Sequence, residues 1–386
     1  MSRVPVALLL ALVACGSPTD PSDDTDSDTA AACTAPGSPT GLDALDERAF
    51  PRSIPALTWS APGDGCADGY EVAVGADGAA ADTLDWMAVS STSFDGVLDE
   101  LLPADTALIA HVRATWQGEA SEPVSVEVGE TFSPADLPGL VLWIDAASPD
   151  VFKDASCTTR AEPGDAVQCV RDRSSHAHVL QYEPNVGPAP KLVTHGDLTA
   201  IDFRGGAVLF TPTSDALEID GTDLVLALVD APDDVDANGT NKLPNYVLNK
   251  ERAYEFAYWE DRFQAAIETG SPGVWQWSRQ EPAAASAGQQ QNTFIYDGVN
   301  YTFRESGTQT AQITAPEQGA ITGEGSWRPP GAPSDIPGSP LVLGGRPAGI
   351  TASYRADLDE LLLFGGELGA GEIEDVERYL VERWGL

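Results

Sequence analysis

Asp357-Leu-Asp-Glu-Leu-Leu-Leu-Phe-Gly-Gly-Glu-Leu-Gly-Ala-Gly-Glu-Ile-Glu-Asp-Val-Glu-Arg-Tyr-Leu-Val-Glu-Arg-Trp-Gly-Leu386 closes the chain, and its hydrophobic period changes partway through. Asp359 to Phe364 is a short apolar run with the length of a strand. From Leu368 onward the apolar positions are Leu368, Ile373, Val376, Tyr379, Leu380 and Trp384, with Glu372, Glu374, Asp375, Glu377 and Glu382 between them. That spacing makes one apolar stripe on a helix with an acidic face opposite. Early acids and the late Arg378 and Arg383 suit the helix dipole. The expectation is a strand followed by a short helix that closes one edge or end of a β-structure.

Upstream, Leu137-Pro-Gly-Leu-Val-Leu-Trp-Ile-Asp145 opens the same unit. Further candidate strands are Leu198 to Phe203, Thr222 to Val229, Asn245 to Leu248, Tyr254 to Ile267, Gly273 to Trp277, Asn292 to Asp297, Tyr301 to Arg304 and Pro340 to Gly344. So many strands without intervening helices predict two antiparallel sheets packed face to face. The composition agrees, since 37 Gly and 29 Pro favour strands joined by many turns. With 60 acidic and 21 basic residues the formal charge is -39, which repels nucleic acid and anionic lipid alike.

The first segment, MSRVPVALLLALVAC, carries Arg3, an apolar stretch from Val4 to Ala14 and then Cys15. The stretch is too short to span a bilayer and has the length of a signal-peptide core. Residues 16 to 32 hold aspartates, no basic residue and no large apolar side chain, which predicts a disordered acidic spacer. Between residues 33 and 130, Ala56-Leu-Thr-Trp-Ser-Ala-Pro62, Tyr70-Glu-Val-Ala-Val-Gly75, Ala107 to Ala114 and Pro123 to Val128 alternate apolar and polar as half-buried strands do. Of the five cysteines, Cys33 and Cys66 fall in this segment, Cys157 and Cys169 in the last unit, and Cys15 stands alone. Two local disulfides plus one modified cysteine is the simplest division, and the pairs require an oxidising compartment.

Three resemblances follow from these stretches. Leu12-Val-Ala-Cys15 resembles a bacterial lipobox, which implies acylation of Cys15, export and anchoring at the cell surface or outer membrane through lipid alone. The 33–130 segment is similar to a fibronectin type III domain in its Trp59 strand, Tyr70 strand and His111-Val-Arg-Ala114 strand, although Leu108 stands where the corner tyrosine is usual. Residues 131–386 resemble the concanavalin A-like, LamG-like jelly rolls of bacterial surface proteins. The match lies in Leu140-Val-Leu-Trp-Ile-Asp-Ala146, Ala200-Ile-Asp-Phe-Arg-Gly205, Leu343-Gly-Gly345, Leu358 to Phe364 and the terminal helix, while Val170-Arg-Asp-Arg-Ser-Ser175 departs from a usual element. The expected fold is therefore all-β, an immunoglobulin or fibronectin-like sandwich followed by a jelly roll with a C-terminal helix. The resemblance implies binding of carbohydrate or a surface protein rather than catalysis; a purely structural envelope component is the alternative, and a glycan-cleaving enzyme the remote one.

Candidate chemistry is sparse. A glycosidase of this fold needs paired carboxylates; in Tyr254-Glu-Phe-Ala-Tyr-Trp-Glu-Asp-Arg262 the odd spacing of Glu255 and Glu260 sends them to opposite faces, and Ala257 holds the place of an expected acid. Asp234-Val-Asp-Ala-Asn-Gly239 matches the first half of a calcium loop, which makes Asp234, Asp236 and Asn238 the candidate metal ligands and calcium the candidate cofactor. Lys242 and Asn245 break the second half, so a plain polar loop is the simpler reading. His176 and His178 share a strand face if a strand is present there, but read as solvated loop residues, and His111 and His195 read as structural. Tyr254, Tyr258, Trp259, Trp275 and Trp277 could stack on sugar rings or fill the core.

Overall fold

The computed structural model describes residues 35–386 apart from internal stretches, the longest of which are 77–83, 234–244, 270–276, 280–287, 322–339 and 346–353. Among the described residues the chain is all-β with one C-terminal α-helix, as expected. In the N-terminal sandwich, Thr40–Ala44, Leu57–Ser60 and Ser93–Phe94 form one sheet. Leu84–Val89, Gly69–Ala76, Ala107–Trp116, Glu119–Ala120 and Val124–Glu130 form the other. Alternation along these strands sends Leu57, Trp59, Tyr70, Val72, Val74, Leu108, Ala110 and Val112 into a shared core. Trp59 meets Tyr70 edge to face with ring centroids 5.5 Å apart.

The large sandwich contains, among the described residues, an eight-stranded and a nine-stranded antiparallel sheet. The first runs Lys191–His195, Leu198–Asp202, Ala356–Gly365, Leu224–Pro232, Gln290–Tyr296, Asn300–Glu305, Thr308–Thr314, with Leu140–Asp145 pairing beside Ala356–Gly365. The second runs Val151–Phe152, Cys169–Arg171, Val179–Tyr182, Leu209–Thr211, Leu341–Leu343, Asn245–Lys250, Tyr254–Trp259, Arg262–Ile267, Trp277–Arg279. Several of these strands were not expected from the sequence. Thr308-Gln-Thr-Ala-Gln-Ile-Thr314 is polar and half exposed at a sheet end, so its β-branched residues rather than an apolar phase mark it. Gly344 turns the chain with φ +90°, and an added Cβ there would collide with the Phe203 ring, which accounts for the glycine directly after Leu343.

The terminal helix, Ala370–Trp384, lies across the outer face of the first sheet rather than at an edge or end of the sandwich. The reason is in the central strands. Leu224, Leu226 and Leu228 point between the sheets, whereas Val225, Ala227 and Val229 point outward; Leu361 and Leu363 point in, Leu362 and Phe364 out. A continuous apolar run marks a strand covered on both faces. The helix supplies that second cover with Ile373, Val376, Tyr379, Leu380 and Trp384. It starts at Gly369, whose N–H donates to Glu372 at 2.7 Å, and ends at left-handed Gly385.

Beneath the helix sits a buried carboxylate. Register shifts between Val229 and Asp230 leave Asp359 as an extra residue, a bulge that turns the following Glu360 outward. Glu360 accepts hydrogen bonds from Trp143 Nε1 (2.7 Å), Tyr379 Oη (3.0 Å) and Trp384 Nε1 (2.8 Å), and Arg383 lies 3.2 Å away. Asp145 binds Arg173 at 2.6 Å and Arg383 at 2.8 Å, and Arg173 covers the Trp143 ring at 4.0 Å. Inside the sandwich, Asp230 of the first sheet accepts from Tyr258 of the second at 2.8 Å and from Tyr354, while Gln290 and Asn292 donate to Tyr258 at 3.0 Å.

Cys157 and Cys169 form the expected disulfide. Cys66 is buried and disulfide-bonded, while Cys33, its expected partner, lies outside the described residues, as do Cys15 and the acidic spacer.

Burial holds the Asp230 and Glu360 carboxyls up at about 7 and that of Asp359 at about 6, with neighbouring carboxylates raising each further against their hydrogen-bond and basic partners. Unfolded carboxyls titrate near 4. Between about pH 4 and 7 the folded chain therefore binds more protons than the unfolded one, and these groups make stability fall as pH rises. We expect a higher midpoint of thermal unfolding at pH 5 than at pH 8, with Asp230→Asn flattening the profile; a midpoint that climbs from pH 5 to 8 contradicts this. Glu360→Ala strands three buried donors and Arg383, so it should cost about 3–5 kcal/mol in denaturant unfolding.

Candidate functional site

A binding residue must lie where a ligand can replace its partners, and the centre of the second sheet offers such groups on its outer side. Leu248, Tyr254, Phe256, Tyr258, Phe263, Ala265 and Ile267 fill the core between the sheets. The alternate positions, Asn249, Glu255, Ala257, Gln264 and Ala266, face away from it. Register aligns Asn249 with Glu255, Ala266 and Trp277 in one row, and Ala257 with Gln264 and Arg279 in the next. Asn249, Glu255 and Gln264 are each 0% exposed.

Asn249 Nδ2 donates to Glu255 Oε1, which leaves Asn249 Oδ1 buried without a partner. Both amide atoms of Gln264 are likewise buried and unpartnered. A buried polar atom without a partner costs about 1–3 kcal/mol, so the arrangement carries unspent hydrogen-bonding capacity. Alanines at 257 and 266, also fully buried, leave little side-chain bulk beside these groups. Amides and a carboxylate above a floor of small side chains can bind hydroxyl groups in both directions, as donor and as acceptor. Glu255 has Asn249 and Ala266 as its cross-strand neighbours, neither a carboxylate, and Glu260 lies outside the described residues. Among the described residues, these strands set no second carboxylate opposite Glu255, as the paired acids of a glycosidase would require.

The aromatic residues divide differently from the expectation of a stacking surface. Tyr254 and Tyr258 are fully buried, Tyr254 donating to the Leu217 carbonyl at 3.1 Å and Tyr258 to Asp230, so neither can stack on a sugar. Their shared face is the core face because the second sheet packs its aromatic phase inward against Phe294 and Phe303. Trp259 is half-buried at the outward phase, Trp277 belongs to the last strand, and Trp275 lies outside the described residues.

The other candidates are placed as follows. Asp234, Asp236 and Asn238 lie outside the described residues. At the root of that stretch, Arg204 binds Asp233 (2.7 Å), Asp357 and Asp202 (3.5 Å), so the nearby described carboxylates already share a cation. Among the described residues no cluster of three or more His, Cys, Asp and Glu side chains is arranged to hold a metal ion. His176 and His178 occupy a turn rather than a strand, with parallel rings 5.8 Å apart. Asp172, within the divergent 170–175 element, is a buried turn anchor: it accepts from the backbone of Trp143 (2.7 Å), Ser174 (2.8 Å) and His178 (3.2 Å). His195 pairs with Asp359 at 2.7 Å and His111 meets Ser125 at 2.8 Å, both structural contacts as expected. Sequence reasoning passed over Asn249 and Gln264; the available signal was a polar residue at the outward phase of adjoining apolar strands.

No family model matches this chain, and no curated protein does. Solved structures that align with it include the binding domain of Paraclostridial Mosquitocidal Protein 1, at 10% identity and TM-score 0.42, covering 62% of this chain and 52% of that one. The botulinum neurotoxin serotype G binding domain aligns at 11% identity and TM-score 0.42, over 62% of this chain and 50% of that one. The binding domain of botulinum neurotoxin DC in complex with SialylT aligns at 9% identity and TM-score 0.40, over 63% and 52%. The chain thus spans about half the length of these structures.

Proposed function

We propose that this chain is a non-catalytic, exported bacterial lipoprotein in which a fibronectin III-like module and a concanavalin A-like jelly roll bind carbohydrate at the outer face of the second sheet. The observation that carries the site is the unpartnered hydrogen-bonding capacity of Asn249 and Gln264 beside Glu255. Hydroxyl-rich ligands satisfy such groups, and rejection of ligands that cannot do so follows from the cost of leaving them unpaired. The three residues are buried in this state of the chain, so binding requires neighbouring chain to give way. That same burial favours a second reading, an envelope scaffold with no small-ligand site.

The lipobox-like Leu12-Val-Ala-Cys15 and the acidic residues 16–32 support placement at the outer membrane or cell surface on a spacer, with lipid at Cys15 as the anchor. Among the described residues no helix is long and apolar enough to cross a membrane. Calcium through Asp234, Asp236 and Asn238 remains a proposal for thermal-shift titration with calcium and chelator.

In a glycan array followed by calorimetry, wild type should bind at least one glycan, and Gln264→Ala should weaken it by about tenfold or more. Absence of glycan binding, or binding indifferent to Gln264→Ala, sinks the carbohydrate site and leaves the scaffold. Cys15→Ala should move the protein from the membrane to the soluble fraction; unchanged membrane retention removes the lipid anchor.

A further inference from the structure

We infer that the N-terminal module is a clamp on the terminal helix of the large sandwich, making the two modules one mechanical and thermodynamic unit rather than a domain on a flexible spacer. The inference does not depend on the proposed ligand.

The connection between the modules is itself packed. Thr131, Phe132 and Ser133 are 3%, 2% and 4% exposed, which is unlike an interdomain linker. Thr131 bridges to Ala49 in parallel fashion and donates its hydroxyl to the Pro103 carbonyl at 2.9 Å; Phe132 N donates to the Ala49 carbonyl at 2.8 Å. Ser133 then caps the short 3-10 turn Pro134–Asp136, which leads into Leu140–Asp145. A hinge needs residues whose dihedral angles can change without losing contacts, and these have none to spare.

The helix is also held by the N-terminal module. Phe50 and Phe132 stack at 5.3 Å and join the apolar cluster containing Trp143, Val376, Tyr379 and Trp384. Arg378 lies over the Phe50 ring at 4.0 Å and donates to Ser53 Oγ at 2.9 Å. Glu382 accepts from Arg52 N at 3.0 Å and from Ser53 Oγ at 2.9 Å, while pairing with Arg378 at 2.8 Å. The helix therefore has the first sheet on one side and the N-terminal module against another. Because the outer face of the first sheet is occupied in this way, the second sheet's outer face is turned to the opposite side of the sandwich, away from the clamped helix.

The test is hydrogen exchange on the full chain, comparing wild type with Phe50→Ala and, as a milder variant that leaves both cores intact, Arg378→Ala. A clamp couples the two sites reciprocally. Phe50→Ala should lower protection of the 370–384 helix amides on the order of tenfold, and Arg378→Ala should loosen amides around 49–53 in the N-terminal module. Calorimetry of wild type should give one transition for both modules, split by Phe50→Ala. Two transitions in wild type, or helix protection unchanged in Phe50→Ala while Arg378→Ala leaves 49–53 unaffected, overturns the clamp.

Discussion

The carboxylate of Glu360 is where the large sandwich, its terminal helix and its first strand meet. Three aromatic side chains from two elements donate to it: Trp143 from the strand Leu140–Asp145, and Tyr379 and Trp384 from the helix. Fully buried, the group is a poor source of net stability, since taking an acid out of water costs several kcal/mol. Its value is directional. An apolar helix face could slide or rotate over an apolar sheet, whereas donors fixed on indole and phenol rings reach two oxygens in one register only. Asp145, Arg173 and Arg383 extend the arrangement so that two buried acids face two arginines.

This arrangement gives a physical meaning to the stretches that made the sequence readable. Leu140 to Ala146 lies far along the chain from Leu358 to Phe364 and the terminal Glu-Arg-Trp-Gly, yet all three pack around one group, so they appear as signatures for structural reasons. Trp143 and Asp145 hold the helix and are not available to a ligand. The amphipathic stripe of the helix was legible because its period is imposed by a flat apolar sheet face. Its position was not: a continuous apolar strand says that both faces are covered, without saying by what.

Asp359-Glu360 shows the limit most clearly. In sequence the pair looks like an acidic patch before an apolar run. The bulge at Asp359 breaks the two-residue phase, and neither propensity nor pattern announces it. The candidate site has the same character. Glu255 and Gln264 sit in separate strands, and only the register that sets Ala257 opposite Gln264 and Asn249 opposite Glu255 brings the polar groups together. Tyr254 and Tyr258 shared a face as their spacing required, but spacing alone does not tell which face is the core.

The pairing of Leu140–Asp145 with Ala356–Gly365 bears on how the chain can be made. Trp143 and Glu360 are separated by 217 positions, and the strand carrying Glu360 is flanked by strands from three distant parts of the sequence. A chain synthesised from its N-terminus can pair Leu224–Pro232 with Gln290–Tyr296 early, but it cannot join Leu140–Asp145 and Leu198–Asp202 to them until Ala356–Gly365 has emerged. Topologies dominated by such distant contacts fold slowly and leave edges exposed meanwhile. The first sheet thus stays in two parts for most of its synthesis, and a polypeptide that stops before Ala356 holds those parts with no strand to bridge them.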